Sequence, residues 1–512
     1  MYIWIIIAAF ILILCCYRIT VPPSHLRHLP RVATLPLLCS YLTGESEDRR
    51  IKRLIIPFAR DTHEHVVLVW VLDRWMVHIL NFEVWPPFLH FSLYYQMCDN
   101  TALFPKETPD DASLLWRFVG SATLLMSNGK RWQKQSVLIN DAFSAKIPVQ
   151  AFTSLAHNLS AIVGKCRTMQ WDKYAQRFAL DAVGSTVLGH NFDAIETDNP
   201  FVQEYNAVMA AIADPIYLIF PWMEHTFPRK KLICRIDTLV ERFMQLLTDK
   251  KNNPGDDMMT FMLKDPAMSH KELRDNMIVL FIGGHDTAAG AISTLFYFLA
   301  CHPDMQRRAR EEIMEVLGDD LDPTVEQLSG ISLLYLTACI REAMRINTPI
   351  SYIVPRQSNR SVRLGKYFVP ARTSLIVNIY AIHHDEERWK SPDAFIPERF
   401  LEQGWQKSGW LPFALGPRQC PARNFAMYEQ RTLAATFLRE YEWSLPEYSI
   451  HKDSLKNAFS SFALTLPHDL DLTFRRISKG ERKTFRRSQT EVKKAPVRGH
   501  DFSVGVQFLA KK

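Results

Sequence analysis

The chain has 512 residues, 47% of them hydrophobic and 22% charged, which fits a globular protein with a large core and excludes a disordered or fibrous one. The net charge of +7 sits at one end: from Arg475 onward there are twelve Lys/Arg against three Asp/Glu, so the body is near neutral, without the basic, aromatic-interleaved stripe of a nucleic-acid binder. Nine scattered cysteines with no CxxC spacing argue against a disulfide framework or a zinc site and point to a reducing compartment.

Met1 to Tyr17 is almost entirely apolar and carries no charge. That is close to the lower limit of about 17 residues for a membrane span. It has no basic n-region and no small-x-small cleavage site, so the expectation is an anchor (1–17) rather than a removed signal peptide. Arg18, Arg27 and Arg31 follow, and positive charge on that flank places the body in the cytosol. Pro22-Pro23 and Pro30 predict a stiff connector over 18–31. No composition break divides the body, 32–475, and the basic stretch 476–512 reads as a solvated tail with affinity for anionic lipid.

Residues 62–80, with Val66 to Val71 and then Leu72-Asp73-Arg74-Trp75, predict two strands around a turn. Residues 83–98 are apolar and aromatic with no clean period. Trp132 opens a segment that ends at Ser144, and Ile216 to Met223 is an apolar, aromatic cluster that suits core or a membrane contact. Ser269-His-Lys-Glu272 is a capping box, and His302-Pro303 is a stop. Between them lies a predicted helix of about 45 Å at 1.5 Å per residue. Its middle reads Gly283-Gly284-His285-Asp286-Thr287. Two mid-helix glycines cost about 1 kcal/mol each, so they need a reason: close approach of a flat cofactor, or a helix–helix contact. Thr287 lies one turn beyond Gly283, and its hydroxyl is expected to bond the Gly283 carbonyl.

Glu342 and Arg345 stand three apart in a helical run, a spacing that usually marks a surface ion pair. Short strands are expected at 352–380 and 455–475, and helical patterns dominate elsewhere. The last informative stretch is Phe413-Ala-Leu-Gly416-Pro-Arg418-Gln-Cys420-Pro-Ala-Arg-Asn-Phe-Ala426. The apolar spacing after Cys420 predicts a helix with Pro421 in its first turn. A thiol there favours a thiolate, the form that ligates haem iron, although most free cysteines are only small buried hydrophobes.

Phe413, Gly416, Arg418, Cys420 and Ala426 stand as in the haem-binding loop of the cytochrome P-450 family, which the chain resembles from its apolar start to about residue 475. Ala422 replaces the family's usual Gly two residues after the cysteine. The resemblance implies a mainly α fold with small β-sheets, preceded by an N-terminal transmembrane helix. It implies haem held by Cys420 as axial metal ligand, and propionates met by Arg418, Arg356 and Trp132. The family's basic residue four after that Trp is Ser136 here, with Lys134 as a weak substitute. Phe413, Gly283 and Gly284 would contact the cofactor, and Asp286 and Thr287 would deliver protons. Glu342, Arg345 and Arg399 would form a buried network under the cysteine loop, in company with Trp389, Pro392, Phe395 and Pro397. Ile350, Ser351, Ile353, Ser461 and Phe462 would line the substrate pocket.

The implied activity is a monooxygenase that inserts one atom of O2 into an apolar small molecule. Electrons would come from NADPH through a separate cytochrome P-450 reductase, with cytochrome b5 as a further donor. The location implied is a single-pass membrane protein of the endoplasmic reticulum. Pro421 to Ala426 is similar to fungal members that oxidise secondary metabolites such as terpenoids or polyketides. The alternatives are an oxygen-independent haem-thiolate isomerase or dehydratase, against which Asp286-Thr287 argues, and a haem sensor without catalysis.

Overall fold

The computed structural model describes residues 16–71, 73–81, 97–108, 113–266, 268–318, 322–407, 409–460, 464–478 and 480–481, and before these Tyr2, Ile6, Phe10 and Leu14. Most of the expected anchor, nearly all of the 83–98 run, Ser461 and Phe462, and the tail beyond 481 lie outside the described residues.

The longer helices are α1 (Thr34–Leu42), α2 (Gly129–Ala145), α3 (Val149–Val163), α4 (Trp171–Val183), α5 (Pro200–Ile212), α6 (Lys230–Asn252), α7 (His270–Cys301), α8 (Pro303–Val316), α9 (Leu334–Ile346) and α10 (Arg423–Glu440). The strands are β1 (Val66–Val71), β2 (Arg74–Ile79), β3 (Thr168–Gln170), β4 (Arg356–Gln357), β5 (Val362–Leu364), β6 (Tyr367–Val369), β7 (Ser374–Val377), β8 (Tyr441–Ser444) and β9 (Asp471–Arg476). They form three small sheets, ordered β1-β2-β7-β4, β3-β9-β8 and β5-β6.

Helix α7 is the axis. Its predicted capping box is present: Ser269 Oγ accepts from the Glu272 N–H and Glu272 Oε2 accepts from the Ser269 N–H. Pro303 opens the next helix and enforces the stop after Cys301. By length and composition α7 is apolar enough to cross a membrane, yet 72% of its apolar window is buried in the protein. Every residue from Ala288 to Ala300 is buried, because α7 meets neighbours all round. Trp171 of α4 stacks on Phe296 at 4.2 Å, and Phe296 stacks on Trp443 of β8 at 4.6 Å.

Strands β1 and β2 pair antiparallel around the predicted turn, and β7 joins β2 in parallel. The connector expected over 18–31 is packed on this sheet: Ile19, Leu26 and Leu29 are buried with β1 and β2, and Arg31 bridges Leu68. The body also runs past the expected limit at 475. Ile477 is buried and its N–H donates to the Glu440 carbonyl. Strands β3 and β8, three and four residues long, were not anticipated, since segments so short show no periodicity; both are held by β9.

Helix α10 is likewise buried from Glu429 to Arg439. Both carboxyl oxygens of Glu429 are buried without a hydrogen-bond partner among the described residues, and burial pushes its pKa well up. A carboxyl that titrates higher folded than unfolded loses stability as pH rises above its unfolded value near 4.3. Glu429→Gln is therefore expected to raise the unfolding midpoint at pH 8 and leave it unchanged at pH 4. Midpoints measured across that range check this; a gain at pH 4 equal to that at pH 8 would contradict it.

Candidate haem and oxygen site

The cysteine loop is closed on itself. The Cys420 N–H donates to the Phe413 carbonyl at 2.9 Å and the Gln419 N–H to that of Gly416 at 3.0 Å. Gly416 has φ +78°, and a Cβ there would lie 2.6 Å from Asp99 Oδ1, so this turn requires glycine. Helix α10 starts at Arg423, which leaves Pro421 in the turn before it rather than in its first turn. Ala422 is the N-cap at φ −87°, a conformation open to any residue, so the added methyl strains nothing. The thiolate expectation needs correction for the chain by itself. Burial pushes the Cys420 thiol up to about 11, outweighing the Ala422 N–H and the Arg423 charge that pull it down. The buried thiol is therefore mostly protonated at neutral pH in the chain by itself.

Arg418 reaches back to α2. Its guanidinium lies over the Trp132 ring, 4.3 Å from the centroid, and its Nη2 donates to Asn128 Oδ1 at 3.0 Å. Its Nε and Nη1 are buried with no partner among the described residues, as is Nε of Arg356. Arg356 Nη1 donates to the Met97 and Phe104 carbonyls. A third cation belongs to this cluster and was missed by sequence reasoning. Lys106 bridges Arg356 through its backbone, its N–H donates to Asn128 Oδ1, and its buried Nζ donates to the Val354 carbonyl at 3.1 Å. Burial and the charges of Arg356 and Arg418 hold the Lys106 pKa well below the usual lysine range. Burial and Arg356 lower Arg418 to about 10. Among the described residues no carboxylate pairs with any of the three. Lys134 is not part of the cluster; it faces Asp265 at 3.9 Å.

In the middle of α7, Thr287 Oγ1 donates to the Gly283 carbonyl at 2.6 Å, as the spacing predicts. The two glycines do different jobs. A Cβ on Gly283 would meet nothing within 4 Å, and the residue is exposed although it is mid-helix. A Cβ on Gly284 would lie 2.6 Å from Val183 Cγ2. Gly284, expected beside the cofactor, is instead the contact between α7 and α4. Asp286 accepts a 2.7 Å hydrogen bond from Tyr205 of α5.

Glu342 and Arg345 are fully buried, not a surface pair. Arg345 Nε and Nη2 donate to the two carboxylate oxygens of Glu342 at 2.7 and 2.9 Å. Two further donors go to the carbonyls of His383 and Pro392. Arg399 Nε joins at Glu342 Oε1, 3.1 Å. His383 Nε2 accepts the Leu411 N–H at 2.9 Å, which carries the network to within two residues of Phe413. Among the expected pocket residues, Ile350 and Ile353 keep exposed surface, but Ser351 keeps none and its hydroxyl is buried. Ser351 is thus enclosed by its neighbours, while Ile350 and Ile353 are only half-buried.

The Cytochrome P450 family profile matches residues 97–471. The chain is 28% identical to mouse cytochrome P450 4A10 over 371 residues, 64% of this chain and 70% of that one. It is 28% identical to cytokinin hydroxylase of Arabidopsis thaliana over 359 residues, 65% of this chain and 68% of that one. The crystal structure of the cytochrome P450DA heme domain superposes with a TM-score of 0.75 at 20% identity, over 88% of this chain and 98% of that one.

The division of labour between the glycines can be measured. Gly284→Ala overpacks against Val183 and is expected to cost about 1–3 kcal/mol. Gly283→Ala, with no atom in its way, is expected to gain up to about 1 kcal/mol in the cofactor-free chain through helix propensity. Denaturant unfolding of the two variants should move in opposite directions.

Proposed function

This chain belongs to the cytochrome P450 family and is a haem-thiolate monooxygenase, and from that premise we propose the roles of its residues and the setting in which it works. One observation carries the site assignment. Buried N–H donors of Arg356 and Arg418 that have no partner among the described residues stand beside the buried Lys106, and Arg418 is two residues from Cys420 on the same loop. Such a cluster fits an anionic cofactor, and the two carboxylates of haem supply the opposite charge and acceptors for the unpaired donors.

In this reading Cys420 Sγ would ligate the haem iron, and Arg356, Arg418, Lys106 and Trp132 would hold the propionates. Gly283 offers a bare helix flank on one side of the cofactor, and Phe413 packs in the cysteine loop. When bound, haem supplies the redox chemistry that activates O2. Cys420 loses its proton on ligation, since a metal cation reverses the effect of burial on the thiol. The Thr287 hydroxyl, anchored by the Gly283 carbonyl, keeps its lone pairs free to accept a proton and pass one on. Asp286, next to it, is the carboxylate that exchanges protons with solvent. Glu342, Arg345 and Arg399 hold the segment from Pro392 to Leu411 on which the loop rests.

The substrate is an apolar small molecule, a secondary metabolite in our reading. Ile350 and Ile353 face it, and Ser461 and Phe462 are proposed to join them. Electrons come from NADPH through a separate cytochrome P450 reductase, with cytochrome b5 as a second donor. Residues 1–17 anchor the chain in the endoplasmic reticulum membrane, and the basic tail follows Ile477. Exposed Tyr2, Ile6, Phe10 and Leu14 support the anchor, and exposed Ile216, Trp222 and Phe227 support a second membrane contact.

Two measurements test the site. The reduced carbon monoxide complex should absorb at the long-wavelength position of thiolate-ligated haem, and Cys420→Ala should abolish that band; its survival would refute the ligand assignment. Lys106→Met should speed haem loss from the holoprotein about tenfold, the worth of one charge-assisted hydrogen bond. The same substitution should raise the unfolding midpoint of the haem-free chain, because it removes a buried like charge.

A further inference from the structure

Asp286 is the carboxylate in the buried middle of α7, and its surroundings are specific. Tyr205 O–H donates to its Oδ2 at 2.7 Å, with Tyr205 1% exposed and Asp286 7%. His285 Nδ1 stands 3.3 Å from the other oxygen, Oδ1, and the His285 ring is fully buried. Tyr205 comes from another element, α5, one turn after Phe201. Its ring is fixed edge-on against Phe281 at 4.9 Å and lies near Phe118 at 6.2 Å. The hydroxyl is thus held in place by packing that does not depend on Asp286. Burial and the Asp286 charge raise the Tyr205 pKa far above its ordinary value, so its hydroxyl stays protonated and remains a donor to Asp286.

We propose that Tyr205 is a positioning residue that parks the Asp286 carboxylate against α5 and so restrains proton delivery at the oxygen site. The inference rests on the reading of Asp286 and Thr287 as the proton-delivering pair. To serve Thr287, the carboxylate must take a proton from solvent at one oxygen and release it on the Thr287 side, ending ionised as it began. Oδ2 is engaged by Tyr205 and Oδ1 faces His285 in a dry, aromatic surround of Phe281 and Tyr205. Thr287 spends its own hydroxyl proton on Gly283 and makes no bond to Asp286. Freeing Oδ2 therefore requires the Tyr205 bond to break, which ties proton supply to where α5 sits.

The test needs no knowledge of the substrate. The full-length holoprotein with cytochrome P450 reductase and NADPH, but no substrate, reduces O2 either to peroxide, using one NADPH, or to two waters, using two. Timely proton delivery favours water. Tyr205→Phe keeps the ring and deletes the hydroxyl. It is expected to lower the peroxide share at least twofold and to shrink the solvent deuterium isotope effect on NADPH oxidation. Asp286→Asn is expected to raise the peroxide share, and the double variant to behave like Asp286→Asn. Denaturant unfolding of the same four proteins, haem-free, should show non-additive effects at the two positions. If Asp286→Asn acts as stated and Tyr205→Phe changes neither peroxide nor isotope effect, the positioning role is refuted and the proton-delivery reading stands. If Tyr205→Phe raises peroxide, the bond holds Asp286 in its working position and parking is refuted. If Asp286→Asn changes nothing, the pair itself is wrong and the inference falls with it.

Discussion

A buried guanidinium needs partners for its donors, and Arg345 finds four of them by drawing together segments far apart in the chain. Glu342 neutralises it from one helical turn away, and the carbonyls of His383 and Pro392 take two further donors. Removing either partner would leave a naked charge in the core, which typically costs about 3–5 kcal/mol. The position of the cysteine loop follows from this. His383 gives its carbonyl to Arg345 and its Nε2 to the Leu411 N–H, so one residue links α9 to the approach to Phe413 and Cys420. Trp410 adds a second tie by donating from Nε1 to the Arg341 carbonyl. The loop is held from below by a polar network centred on Arg345 and Glu342.

The oxygen-side helix follows a different rule. Helix α7 is covered by aromatic and aliphatic packing along its C-terminal half, which fixes its axis. Departures from regular packing are concentrated in the Gly283 to Thr287 segment. There one glycine admits Val183 of α4, the other leaves a bare flank, and a threonine hydroxyl bonds back to the ladder. The same threonine-to-glycine back-bond recurs between Thr294 and Gly290, but there the turn is buried, so of the two only the Gly283 turn leaves a bare flank.

Much of this was legible from sequence, for physical reasons that differ by element. The capping box, the stop at Pro303 and the β1–β2 turn are local and depend on residues within a few positions. The Thr287 bond to Gly283 follows from helical spacing alone. What escaped was set by distant partners. Nothing in Phe104-Pro105-Lys106-Glu107 marks Lys106 as buried; its burial comes from Arg356 and Asn128, which fold over it. Nothing local separates the roles of Gly283 and Gly284, since only the neighbour across the groove decides. Nothing local separates Ser351 from Ile350 and Ile353 either, since its complete burial is set by the neighbours that enclose it. The thiolate preference of Cys420 was overstated because the helix begins later than expected and burial outweighs its donors.

The cation cluster has a consequence for assembly. Lys106, Arg356 and Arg418 come from three separate regions of the chain, and their charges oppose one another when brought together away from water. Closing that part of the protein is therefore uphill until a dianion arrives. Any ligand that binds only the closed form adds its binding free energy to folding, so the last step of maturation becomes sensitive to cofactor supply. Cofactor scarcity would leave an otherwise packed chain open at one corner: the one formed by the start of α2, the β4 edge and the cysteine loop.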